Sequence, residues 1–195
     1  MKILFTGGGT GGHVFPIVAI AREIRRIYTK KDLELYYLGP KDEFGLIMLS
    51  QEDFKIKTII SGKIRRYFSY QNFIDILFKI PFGFLQSIFL ILIIRPQLIF
   101  SKGGSGAISV TYCARLLRIP VFLHESDIIP GLSNRVASKW AKKIFVSFPK
   151  TEYFEPKKTI LVGNPIRKEL IDGDKKLAGD LFDLTFQKPI ILFLG

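Results

Sequence analysis

The sequence predicts an α/β protein, a Rossmann-like, doubly wound parallel sheet with helices on both faces. Three observations carry this. Short apolar runs of strand length alternate with helical stretches along the chain. Two of these runs pass directly into glycine-rich segments, Gly7–His13 and Lys102–Gly106, each followed by a helical stretch. The remaining polar motifs also follow strand-like runs, at the carboxyl edge where ligands of such sheets bind.

Lys2–Thr6 reads as the first strand. Pro16–Tyr28 reads as a helix, because Ile17, Ile20, Ala21, Ile24 and Ile27 recur at helical spacing and Pro16 suits a first turn. Leu33–Leu38 is the next strand, Phe44–Ser50 a short helix and Ile56–Ile60 a third strand. Gln97–Ser101, Pro120–His124, Lys143–Phe148 and Thr159–Val162 complete the sheet. Residues 1–170 are thus expected to form one domain. Residues 171–187, polar and charged with Gly173 and Gly179, read as a linker. Lys188–Gly195 resembles Lys2–Gly7 and reads as the first strand of a truncated second α/β domain, or else as a last strand of the same sheet.

The 195 residues are 48% hydrophobic, enough for a core without staples, and the single cysteine, Cys113, excludes an internal disulfide. The opening MKILFTGGG is not a signal peptide, since glycines replace the apolar stretch such a segment needs. The net charge of +12 suits polyanionic partners, or else reflects the basic composition of a proteome rich in Lys, Ile and Phe. The basic residues are scattered and no recognition motif accompanies them, so nucleic acid is not expected.

The loop Gly7-Gly8-Gly9-Thr10-Gly11-Gly12-His13 lies between a strand and a helix. Glycines let backbone approach a ligand closely, and the partly positive start of the helix suits phosphate. Gly7, Gly9 and Gly12 satisfy G-x-G-x-x-G, but the second strand ends Leu38-Gly39-Pro40 without the ribose-binding acid; Asp42 and Glu43 come late and start a helix. A nucleotide sugar or diphosphate is therefore preferred to a dinucleotide. His13 stands where the loop meets the helix, whose positive end disfavours imidazolium; it is read as a general base or as a structural histidine.

Lys102-Gly103-Gly104-Ser105-Gly106 forms a second strand–glycine–helix junction, with Lys102 a candidate counter-charge for phosphate or a solvated lysine. His124-Glu125-Ser126-Asp127 and Gly131-Leu132-Ser133-Asn134 add polar groups at the same edge. Glu125 and Asp127 are each candidate bases or hydroxyl-binding groups, Glu125 alternatively a cap. Arg167, in Gly163-Asn164-Pro165-Ile166-Arg167, is a candidate contact to phosphate or a base, or a surface ion pair. Two histidines and no cysteine pair make a zinc site improbable, and nothing calls for a cofactor.

GGGTGGHVFP (7–16), SGKIRRY (61–67), SKGGSGA (101–107), IPVFLHESDIIPGLSN (119–134) and VGNPIR (162–167), in this order, resemble the MurG family of peptidoglycan glycosyltransferases over nearly the whole chain. The resemblance implies one half of a GT-B enzyme, the half that binds the lipid acceptor and the membrane. It implies transfer of N-acetylglucosamine from UDP-GlcNAc to undecaprenyl-diphospho-MurNAc-pentapeptide (lipid I), in the service of cell-wall synthesis, cell shape and division. Thr10, Gly11, Gly12 and Arg167 would touch the donor, and both glycine loops, with Lys102, Gly103, Gly104 and Ser105, would hold the acceptor diphosphate. Glu125 and Asn134 complete the expected substrate-binding set, and His13 would be the base. The family commonly reads His-Glu-Gln-Asn where this chain has His-Glu-Ser-Asp, so Asp127 cannot donate an amide hydrogen bond and is a second candidate base. The resemblance leaves open a non-catalytic membrane-recruiting subunit with a separate donor half, or a transferase for another diphospho-lipid.

Phe73–Ile94 is very apolar, but its uncharged part is about 15 residues, short of the ~20 that span a bilayer. Lys63-Ile64-Arg65-Arg66-Tyr67-Phe68 precedes it. Basic and aromatic residues beside an apolar helix predict an interfacial anchor on anionic lipid through Lys63–Phe82, with Phe84–Ile94 mostly in the core, or else a fully buried helix packed on the sheet. Together with the resemblance, this implies a peripheral location at the cytoplasmic face of the plasma membrane.

Overall fold

The computed structural model describes residues 1–8, 11–62, 70, 73, 75–149, 152–185 and 188–191. Its strands are β1 (Lys2–Thr6), β2 (Glu34–Gly39), β3 (Lys55–Thr58), β4 (Leu98–Ser101), β5 (Val121–Glu125), β6 (Lys143–Val146) and β7 (Thr159–Leu161). They form one sheet in the order β3-β2-β1-β4-β5-β6-β7, and every pairing is parallel. The helices are α1 (Gly11–Ile27), α2 (Glu43–Ser50), α3 (Ile80–Ile94), α4 (Ala107–Leu116), α5 (Leu132–Ala137) and α6 (Lys175–Phe182). The strand order reverses direction between β1 and β4, and this switch point opens a crevice beyond their carboxyl ends.

Alternation along β1 shows how the sheet is covered. Ile3 and Phe5 join the core under α1 with Val14, Ile17, Val18 and Ala21, whereas Leu4 joins the opposite core with Ile91 and Ile94 of α3 and Val110 and Ala114 of α4. A helix on each face is the doubly wound arrangement expected from the sequence.

Three expectations change. The first helix begins at Gly11, five residues before Pro16, which therefore sits in the second turn and is buried. A first turn needs no internal N–H partners, so Gly11 and Gly12 are accommodated there; Pro16 then deprives the Gly12 carbonyl of its usual helical donor. Asp42 does cap α2, accepting from the Gly45 N–H at 2.8 Å.

The second change concerns α3, which is preceded by a π-helical turn at Asp75–Lys79. Gly83, Ser87, Ile91 and Ile94 of α3 are buried, and Phe84, Ile88 and Leu90 pack part-buried against the same core, so the core contact expected of Phe84–Ile94 is made by one side of the helix. Leu85, Phe89, Leu92 and Ile93 are each more than half exposed. A helix lying on a sheet buries one face, and the apolar composition of α3 continues around the other. Gly83 is required where α3 meets the chain after β3, since a Cβ there would lie 2.1 Å from the Ile60 carbonyl oxygen. Residues 63–69, 71, 72 and 74 of the expected anchor lie outside the described residues.

Third, the segment read as a linker contains α6, capped by Asp174, whose side chain accepts from the N–H groups of Lys176 (2.8 Å) and Leu177 (3.0 Å). Of the strand expected at 188–195, Lys188–Ile191 carry no strand and residues 192–195 lie outside the described residues.

Candidate active site

The first glycine loop leaves β1 at Gly7 and enters α1 at Gly11; Gly9 and Thr10 lie outside the described residues. The Tyr37 hydroxyl, from β2, donates to the Gly7 carbonyl at 3.3 Å and ties the loop to the sheet. Among the described residues, a Cβ at Gly12 would meet nothing within 4 Å.

The second loop leaves β4 at Lys102. Gly103, Gly104 and Gly106 have φ of +84°, +90° and +82°, conformations costly for any other residue. The two loops touch. A Cβ on Gly104 would stand 2.5 Å from Gly8 Cα and 3.0 Å from His13 Nε2, and one on Gly8 would stand 3.1 Å from His13 Nδ1. The imidazole therefore lies against both loops, at a position that exists only because both residues are glycine. Burial holds His13 below its ordinary pKa, the neighbouring Lys102 ammonium adds to the effect, and Asp127 opposes it. The ring is neutral at pH 7 and able to accept a proton.

Lys102 is almost fully buried, and its Nζ donates to the Ser126 hydroxyl. Burial lowers its pKa while Glu125 and Asp127 raise it. Ser126 donates onward to Asn164 Oδ1 at 3.2 Å, linking the ends of β4, β5 and β7.

Glu125 and Asn134 have internal commitments. The Glu125 carboxylate accepts from the backbone N–H groups of Asp127 (3.0 Å) and Gly131 (3.2 Å) and from Asn134 Nδ2 (3.0 Å). Asn134 also donates to the His124 carbonyl at 3.1 Å. A Cβ on Gly103 would lie 2.8 Å from the Asn134 amide, so this residue packs under the second glycine loop. Asp127 is exposed and Ser105 half-buried. The Arg167 guanidinium lies over the Phe15 ring in the first turns of α1, at 4.3 Å from the centroid. Among the described residues no group of three or more His, Cys, Asp or Glu is placed to hold a metal ion.

Reading the sequence missed Ser126, Asn164 and Phe15 as members of the site. Ser126 and Asn164 stand inside motifs it singled out; for Phe15, no local pattern signals a partner so distant in sequence. It also missed His124, whose Nε2 meets the Gly163 carbonyl at 3.0 Å and is therefore the protonated nitrogen, while Nδ1 is buried without a partner. Burial pushes its pKa from 6.5 down to about 4. Because the folded state resists protonation, stability is full above pH 6.5 and is lost as pH falls from 6.5 towards 4, by about 3 kcal/mol from this group. His13, also depressed, adds to the loss in the same direction. Urea midpoints between pH 7 and pH 4 should show a flatter profile in His124→Gln than in the native chain; parallel profiles would refute the assignment.

Among curated relatives, the chain is 42% identical to the UDP-N-acetylglucosamine--N-acetylmuramyl-(pentapeptide) pyrophosphoryl-undecaprenol N-acetylglucosamine transferase of Borrelia turicatae, covering 100% of this chain and 53% of that protein. It is 37% identical to the transferase of the same name from Clostridium kluyveri, covering 100% of this chain and 54% of that protein. The chain thus spans about half the length of the curated relatives it matches. Among solved structures, MurG of Acinetobacter baumannii superposes with a TM-score of 0.68 at 25% identity, over 86% of this chain and 46% of that one. The UDP-GlcNAc 2-epimerase of Neisseria meningitidis shares the fold at 15% identity and a TM-score of 0.64, over 94% of this chain and 54% of that one. Residues 3–146 match the glycosyltransferase family 28 N-terminal domain, and with most of its sheet inside that match the chain belongs to glycosyltransferase family 28.

Proposed function

We propose that this chain is the acceptor half of an inverting N-acetylglucosaminyltransferase that converts lipid I to lipid II with UDP-GlcNAc, in peptidoglycan synthesis. The observation that carries the reading is the neutral His13 imidazole set against two glycine loops beside the buried Lys102 cation. The names of the curated relatives supply the substrates. The acceptor diphosphate lies along the glycine loops, with Lys102 as counter-charge. The C4 hydroxyl of the muramyl sugar attacks the anomeric carbon of GlcNAc, the bond from that carbon to the UDP oxygen breaks, and the hydroxyl proton passes to His13. One displacement inverts the anomeric centre, and UDP leaves towards Arg167. Thr10, Gly11 and Gly12 contribute on the donor side, and Asp127 is the alternative base. Most of the UDP-GlcNAc site belongs, in this reading, to a second domain on the same or a separate polypeptide.

The test is transfer of labelled GlcNAc to lipid I in vesicles, with the chain alone and with the donor half of the Borrelia turicatae relative. Transfer is expected with the donor half; none in either case would sink the reading. The half-length match also permits a non-catalytic, membrane-recruiting subunit, which activity of the chain alone would eliminate.

The membrane contact is proposed for the outer face of α3. Asp75–Ile94 is a helix of 20 residues with mean hydropathy 2.1, long and apolar enough to cross a bilayer by length and composition, yet one stripe of it packs on the domain. A helix held in this way lies in the interface, with Leu85, Phe89, Leu92 and Ile93 towards lipid. Replacing Leu85 and Phe89 together by serine should weaken sedimentation with anionic vesicles by roughly tenfold or more. Unchanged partitioning would show that this face does not meet the membrane.

A further inference from the structure

We propose that Phe15 is a positioning residue for Arg167, fixing the guanidinium at the start of α1 so that its edge meets a diphosphate; this rests on the transferase reading above. The backbone on either side of Arg167 is already held. The Gly163 carbonyl accepts from His124 Nε2 at 3.0 Å and from the Ser147 hydroxyl at 3.2 Å, and Asn164 accepts from Ser126 at 3.2 Å. Two residues after Arg167, Glu169 pairs with Arg22, which also binds Glu52 at 2.6 Å. The long arginine side chain itself has two neighbours, the Glu169 carboxylate within electrostatic reach and the Phe15 ring beneath the guanidinium.

The stack is close, 4.3 Å from guanidinium carbon to ring centroid. All five N–H groups of arginine lie in the plane of the guanidinium, and a ring over the guanidinium carbon accepts a conventional hydrogen bond from none of them. The Nε of Arg167 is buried and has no hydrogen-bond partner, a donor without an acceptor beside the first turns of α1. His13 stands two residues before Phe15, so one turn of helix carries both the candidate base and the platform for the cation. Ordering the side chain before the ligand arrives removes an entropic cost of binding.

The experiment uses the full chain and inorganic pyrophosphate. In the unliganded chain, Arg167 side-chain protons should show an upfield ring-current shift in NMR spectra, kept in Phe15→Tyr and lost in Phe15→Leu. Calorimetric titration should give binding weakened about three- to tenfold in Phe15→Leu, restored in Phe15→Tyr, and weakened at least tenfold in Arg167→Gln. The thermal midpoint of Phe15→Leu shows whether the variant is folded, and Phe15→Tyr keeps the test open if it is not. A missing ring-current shift, pyrophosphate binding unaffected by either Phe15→Leu or Arg167→Gln, or no binding by the native chain would overturn the proposal. A chain that keeps the stack and binds pyrophosphate through Arg167, yet transfers no GlcNAc with the donor half, would overturn the transferase reading and leave the role of Phe15 standing.

Discussion

Replacing His13 by alanine should lower transfer by about 10²- to 10⁴-fold, the range contributed by a positioned general base. The Michaelis constant for the proposed lipid acceptor should change far less, because the amides and Lys102 proposed to hold its diphosphate remain. Fold stability should be nearly unaffected, since the ring lies at the cleft against glycines and not in either core. The pH dependence provides the sharper test. As the proposed base, His13 could act only when neutral, and burial together with Lys102 depresses its pKa. Activity of the proposed enzyme should therefore rise through a pKa below 6.5. Lys102→Met removes the cation that opposes protonation of His13, so the acidic limb of the log kcat/KM profile should move to higher pH while overall activity falls. A His13→Ala enzyme within a few-fold of the native rate would transfer the role of base to Asp127, and Asp127→Asn would then be the inactive variant.

The parts of the molecule legible in the sequence are those decided locally. Each strand announces itself by a short apolar run, and each of the two glycine loops by its place between strand and helix. The carboxyl-edge rule gathers His13, Lys102, Glu125, Asp127 and Asn134 before any coordinates are known. What was misread depends on contacts between distant segments. Pro16 has the chemistry of a first turn, but the glycines before it are free enough to continue the helix backwards. The α3 sequence is apolar on every side, so its composition cannot tell which stripe Gly83, Ser87, Ile91 and Ile94 would bury. A carboxylate at a strand end looks the same whether it waits for a substrate or binds its own backbone, and Glu125 does the latter.

Glu125→Ala should accordingly be a stability variant, losing about 3–5 kcal/mol. Three donors, the N–H groups of Asp127 and Gly131 and the Asn134 amide, lose their acceptor, and Lys102 loses a nearby buried negative charge. Glu125→Gln should lie between, because the amide keeps the shape but retains one accepting oxygen and turns an NH₂ towards donors. Asp127→Ala, at an exposed residue, should cost under about 0.5 kcal/mol. Urea midpoints at pH 7 for these three variants order the effects. The opposite ranking, with Glu125→Ala stable but inactive, would mean that the carboxylate is released from its backbone partners to act on the substrate. Glu125 would then return as a candidate base or hydroxyl-binding group, and the loop from Ser126 to Gly131 would have to rearrange during the reaction, since in the present geometry the carboxylate is what holds that loop closed.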